Sequence, residues 1–288
     1  MTTLAAEPAA RSALLQQAQA LEAGAAALHG QPLRTLHHFA CTGGTLISKC
    51  IAALPNVQLL SEVDPLSTQL LPEALRFSPT DMVTLARQST RGASDALVIE
   101  LFRAQVQVLQ QHAVRHGLRL VLRDHAHGHY CHGAALAVRP ALREMLPPAL
   151  PLLSLLTVRH PLDSYASLAR NGWVHLQPRT LHTYCQRYLA FLDQHEGLPL
   201  LRYEDFVAAP QRAMQLVCEA LALRYEPHFA RFFAGFAVSG DSGRSGTTIA
   251  PRPSHASAVA LEAEAAASDA YVQLVQRLGY GLRAGALD

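Results

Sequence analysis

A chain of 288 residues, half hydrophobic and 16% charged, buries a substantial core and falls outside the disordered classes. A formal net charge of +2 is too small to argue for a nucleic-acid surface, so any basic site is local. Five cysteines without paired short spacings point to reduced thiols in a cytoplasmic setting. No apolar stretch reaches membrane-spanning length, and the first residues lack the basic start and apolar run of a signal peptide.

Residues 10–28 place Leu14, Ala18, Leu21, Ala25 and Leu28 on one helical face, so residues 1–30 are expected to form an N-terminal helix. Residues 31–288 then read as one α/β domain. A strand from Leu33 to Ala40 runs into Thr42, Gly43, Gly44 and Thr45, and a helix through Leu46, Ile47, Cys50, Ile51 and Leu54 follows. Strand, glycine turn and helix in that order make an anion site, because curled backbone converges several N–H groups on a helix N-terminus. The Walker form of this loop is absent: no lysine precedes Thr45, and the only lysine of the chain is Lys49.

Val57–Leu60 reads as a short strand delivering Ser61, Glu62, Val63 and Asp64. Residues 67–88 are helical but broken by Pro72 and Pro79. Ser94 looks like the cap of a helix burying Val98, Phe102, Val106, Leu109 and Ala113. Leu118–Leu122 is a buried strand ending in Arg123, Asp124 and His125, followed by a helical piece over 133–146. Leu152–Val158 is another strand, ending in Arg159 with Pro161 in the first turn of the next helix. Leu198–Tyr203 is a fifth strand, residues 239–254 form a glycine-rich lid or binding loop, and the last helix buries Tyr271, Leu274, Val275 and Leu278. Apolar strands alternating with helices give a mostly parallel central sheet of about five strands flanked by helices.

In Thr157–Ser167 an arginine at a strand end stands eight residues before a serine two turns into a helix. Such a pair can converge on one phosphate, or Arg159 can pair with a carboxylate such as Asp163. The turn CTGGTLIS, the run VRHPLDSYAS, the tripeptide Tyr203-Glu204-Asp205 and the late Ser-Gly-Arg loop occur in the order seen in sulfotransferases. Over residues 33–253 the chain resembles that family, whose members use 3′-phosphoadenosine 5′-phosphosulfate (PAPS) on a P-loop-like fold.

The resemblance implies roles residue by residue. Thr42, Gly43, Gly44 and Thr45 match the loop around the 5′-phosphosulfate, Arg159 and Ser167 the pair on the 3′-phosphate, and Tyr203 the contact to adenine. Arg244 resembles an arginine of the late loop that closes over the 3′-phosphate side. Two positions depart from the pattern. Many members carry a lysine where this chain has Thr42, and Lys49 or Arg123 is left to stabilise charge on the leaving phosphate. Ile47 stands where cytosolic members often stack a Trp on the adenine.

Two residues at strand ends are candidates for the base: His125, which titrates near neutrality unaided, and Glu62, which matches the acidic base of the tyrosylprotein branch. The segment His125, His127, His129, Cys131, His132 suits zinc by residue type, but Gly128 and Gly133 suggest a loop lining an acceptor pocket, and no metal is expected. Trp173 either walls the acceptor site or belongs to the core. The expectation is sulfuryl transfer from PAPS to a hydroxyl or amine of a small-molecule, glycan or peptide acceptor, with no nucleic acid or membrane as partner. The rivals are a nucleotide-dependent kinase-like transferase and a sulfotransferase-fold binding module without turnover.

Overall fold

The computed structural model describes residues 16, 30–67, 81–240 and 246–283. The expected N-terminal helix, bar Gln16, and Arg244 lie outside these. In chain order the strands are β1 (Leu33–His38), β2 (Val57–Val63), β3 (Arg119–Asp124), β4 (His132–Gly133), β5 (Leu152–Val158), β6 (His175–Leu176) and β7 (Leu200–Arg202). The helices are α1 (Gly44–Ala52), α2 (Met82–Arg87), α3 (Asp95–Arg115), α4 (Ala126–Tyr130), α5 (Pro161–Arg170) and α6 (Leu181–Gln194). They continue with α7 (Tyr203–Ala208), α8 (Pro210–Ala220), α9 (Phe229–Phe232), α10 (Ala256–Val259), α11 (Glu262–Ala266) and α12 (Asp269–Leu278).

Five strands form one parallel sheet in the order β2-β3-β1-β5-β7, and β4 pairs with β6 in a separate parallel ladder. The inner strands are buried along nearly their whole length, β1 at every residue, because helices cover both faces. On one side Leu36, Ile47, Ile51, Leu155, Phe206 and Met214 pack together, joining α1, α7 and α8 to the sheet. Another core unites Phe39, Tyr130, Tyr184, Tyr188 and Phe191 with Tyr271, Leu274, Val275 and Leu278 of α12. Each such side chain, fully buried, contributes about 1.5–3 kcal/mol. A third core places Val98, Phe102, Val106 and Ala113 of α3 against Leu120 and Leu122. The Ser94 hydroxyl accepts from Leu97 N–H at 3.3 Å, capping α3 as its sequence indicates.

Three elements differ from the sequence reading, the first being the loop expected around Gly128, where the short helix α4 forms. Residues 133–141 are not helical; only a short 3₁₀ turn forms, at Leu142–Met145. Gly133 takes a left-handed φ of 70°, and Pro140 disfavours helix at the residue before it. β2 also runs on past Leu60 to Val63, through a bulge that leaves Glu62 at φ 60°. Among the described residues no helix is long and apolar enough to cross a membrane.

A polar group is buried at the carboxyl side of the sheet. Asp124 Oδ2 lies 2.8 Å from His37 Nδ1 and 3.8 Å from His195 Nε2. Burial, then the neighbouring His37 charge, holds the His195 imidazole down at about 4 against an ordinary 6.5. The unfolded chain therefore gains a proton there below pH 6.5 that the folded chain refuses until about pH 4. Folded stability is present above that window and lost as pH falls through it. Melting temperature is expected to drop between those two values, and His195→Gln to flatten the slope. An unchanged slope in the variant would place the proton uptake elsewhere.

Candidate functional site

All five strands of the main sheet end at one cavity of about 560 Å³, the position where open α/β sheets bind ligands. The coil after β1 forms one wall, Glu62 of β2 and Arg123 of β3 another, and Arg159 and Tyr203 arrive from the ends of β5 and β7.

The coil is shaped by two left-handed residues, Cys41 at φ 61° and Gly43 at φ 90°. Thr42 turns inward: its N–H and hydroxyl both donate to the Phe39 carbonyl, at 3.3 and 2.7 Å, and the residue is fully buried. Thr42 thus shapes the coil but does not line the cavity. Ile47 N–H is the first of α1 to close on the coil, reaching Gly43 O at 3.2 Å. The amides of Gly44, Thr45 and Leu46 precede it and have no intrahelical acceptor, so they are available to an anion at the positive end of α1. No side chain caps this terminus. A Cβ at Gly43 would overlap the Tyr203 ring and one at Gly44 the His38 ring, which explains both glycines.

Arg123 is 3% exposed and reaches the cradle from beneath. It donates to the Thr45 hydroxyl at 3.1 Å, to His38 Nε2 at 3.0 Å and to Ser61 Oγ at 2.8 Å, and pairs with Glu62 Oε1 at 2.9 Å. Burial, then the Arg123 charge, drives the His38 imidazole well below its ordinary value. His38 is therefore neutral and accepts from Arg123. Lys49, on α1, lines the same cavity.

The two candidate bases form one unit. His125 Nε2 stands 3.1 Å from Glu62 Oε2, while the other carboxylate oxygen faces Arg123. The bulge that throws Glu62 into left-handed backbone also aims its carboxylate at both, the kind of local strain that persists where neighbours fix it. The late loop fastens on top: Ser61 Oγ donates to Ser239 O at 2.9 Å, and Ser239 Oγ donates back to Ser61 O at 2.8 Å. Gly240 rests so closely on Glu62 that a Cβ there would overlap the carboxylate.

At the far wall the Arg159 guanidinium lies 4.7 Å over the Tyr203 ring and donates to Cys41 O at 3.4 Å. Its backbone is fixed from below, with Arg159 N–H donating to the Tyr188 hydroxyl at 3.2 Å. Phe39 stacks on Tyr188 at 4.4 Å, and the Tyr184 hydroxyl donates to Ala40 O at 3.2 Å. One aromatic cluster therefore holds both the coil and the arginine. Glu204, of the Tyr-Glu-Asp tripeptide, accepts from His160 N–H at 3.0 Å and from the Tyr280 hydroxyl at 2.6 Å, locking the turn after Arg159.

The structure thus gathers Gly43, Gly44, Thr45, Lys49, Glu62, His125, Arg159 and Tyr203 around one cavity. Ser167 is not with them. It is 2% exposed inside α5, whose surface α10 and α12 cover, and it is not among the described residues lining the cavity. Sequence reasoning missed Arg252, which the late loop brings to the cavity, and His175, which lines it beside Trp173, His127 and His132. The flanking Pro251 and Pro253, which stiffen that part of the loop, were the available signal for Arg252.

No protein-family model matches the sequence. No curated protein matches it either. Solved structures do match by fold. The sulfotransferase domain from the curacin biosynthetic pathway is 19% identical, with 87% of this chain and 99% of that one covered and a TM-score of 0.51. The sulfotransferase domain from the Synechococcus PCC 7002 olefin synthase is 17% identical, with 87% and 95% covered and a TM-score of 0.53. Taken with the parallel sheet and the glycine coil at its carboxyl edge, these likenesses show that the chain has the sulfotransferase fold.

Proposed function

We propose that the chain moves the sulfuryl group of PAPS to a hydroxyl or amine of a small-molecule, glycan or peptide acceptor. One observation carries the reading: a single cavity joins an amide cradle backed by Arg123 to an Arg159–Tyr203 couple. The cradle suits the 5′-phosphosulfate, the Tyr203 ring the adenine, and the Arg159 guanidinium a 3′-phosphate. Arg252, which lines the same cavity, offers a second guanidinium. Arg123 stands where negative charge grows on the leaving phosphate, the position a loop lysine would otherwise fill.

His125 is the proton acceptor in this reading, and Glu62 orients it. The Glu62 carboxylate, 3.1 Å from His125 Nε2, holds the ring in place. His125→Ala and Glu62→Gln are each expected to lower kcat by about 10²–10⁴-fold, and the double variant by little more than one alone. Wild-type turnover in either single variant would assign the base to the other residue.

The reading itself is tested by calorimetric titration with adenosine 3′,5′-bisphosphate against AMP. The bisphosphate is expected to bind at least about tenfold more tightly, as one charge-assisted contact to the extra phosphate requires. Equal affinities would remove the 3′-phosphate site and favour an ordinary nucleotide-dependent transferase.

A further inference from the structure

One part of the cavity carries chemistry that the reading above does not use. His127 lies in α4, His132 opens β4 and His175 opens β6. The short parallel ladder sets His132 opposite His175, with their rings stacked 4.6 Å apart. One ring nitrogen from each of the three lies within 4.8 Å of the other two. Tetrahedral ligand atoms at about 2.0–2.1 Å from one ion are roughly 3.4 Å apart, so the three nitrogens need only draw together to close on an ion.

A second observation concerns His127 alone. Its Nε2 is buried without a hydrogen-bond partner. A buried polar atom left without a protein partner calls for an unseen one, and an imidazole nitrogen in that state offers its lone pair to an ion.

We propose that His127, His132 and His175 bind one divalent transition ion of the zinc type, leaving a coordination position open to the cavity. Three imidazoles without a carboxylate select such an ion over magnesium or calcium, and three protein ligands leave room for a fourth from solvent or substrate. Where the transferase reading holds, on which this part depends, that position takes the acceptor. The His125 ring is 6.3 Å from that of His127, close enough to serve a ligand held there. A hydroxyl bound to the ion gives up its proton more readily. From there the proton would pass to His125 as the acceptor oxygen formed its bond to sulfur and the bond from sulfur to the nucleotide phosphate broke. The acceptor class is then one that carries a metal-coordinating hydroxyl or amine.

The test uses the untagged full chain, stripped with a chelator and titrated with Zn²⁺ and, separately, with Co²⁺, whose tetrahedral complexes absorb visible light. One equivalent is expected to bind, and His127→Ala or His175→Ala to weaken binding at least about tenfold and abolish the cobalt spectrum. His175 is exposed, so its loss leaves the fold intact. No binding in the wild type, or undiminished binding in His175→Ala, overturns the inference. The adenosine 3′,5′-bisphosphate titration separates the two claims. Bisphosphate binding without metal binding ends the metal site alone, whereas metal binding without bisphosphate binding keeps the site and ends the transferase reading.

Discussion

Arg123→Met is expected to lower the turnover of sulfuryl transfer by about 10²–10³-fold, the loss typical when a preorganised donor to developing charge is removed. The reason is positional. Arg123 is nearly buried, touches the Thr45 hydroxyl at 3.1 Å and is held there by Ser61, His38 and Glu62. Its charge is thus fixed beside the cradle before any ligand arrives and needs no reorganisation during reaction. Met fills a similar volume without the charge, so the cradle keeps its shape. Removing one member of a largely buried ion pair also costs about 1–3 kcal/mol here, because Glu62 retains His125 as a partner. Single-turnover rates and thermal melting check both effects, with Lys49→Met as the comparison. Full turnover in Arg123→Met together with its collapse in Lys49→Met would transfer the role to Lys49.

Gly43→Ala is expected to weaken adenosine 3′,5′-bisphosphate binding by about 10–100-fold and to destabilise the fold by about 1–3 kcal/mol. The position is doubly demanding: its φ is 90°, and a Cβ would run into the Tyr203 ring. Tyr203 lies under the Arg159 guanidinium, so displacing the ring disturbs both walls of the cavity at once. Gly92→Ala is the control. It too has a left-handed φ, of 66°, but a Cβ there meets nothing within 4 Å. The control should show the backbone cost without any change in ligand affinity. Equal affinity losses in the two variants would mean that strain alone, and not the Tyr203 contact, makes Gly43 necessary.

Where the sequence carries a continuous physical signal, the fold is legible in it. Leu152–Val158 is nearly continuously apolar because both sheet faces are covered, and its bounds are those expected. The helix starting after Ser94 is marked by its cap and its apolar face. Residues 133–141 mislead because their alanines favour helix, while Gly133 and Pro140 set the backbone otherwise. The polar Ser61 and Glu62 hide the end of β2, since a bulge turns two polar residues into part of a strand.

The candidate site divides along the same line. Contiguous features such as the Thr42–Thr45 turn stand out in the sequence, whereas the pairing of Glu62 with His125 depends on adjacent strand ends. His175 is invisible for the same reason: only the two-residue ladder brings it beside His132. Ser167 has the spacing of a phosphate-binding partner to Arg159 but is buried within α5 and is not among the described residues that line the cavity.

The five strands deliver their reactive residues to one rim and leave the rest of the molecule to apolar packing. Three cores ask their occupants for volume and period more than for identity, so most positions can change while the architecture stands. Chains that agree at fewer than one residue in five can then share this scaffold. On such a scaffold a handful of replacements at the rim can rewrite the chemistry while the framework stands.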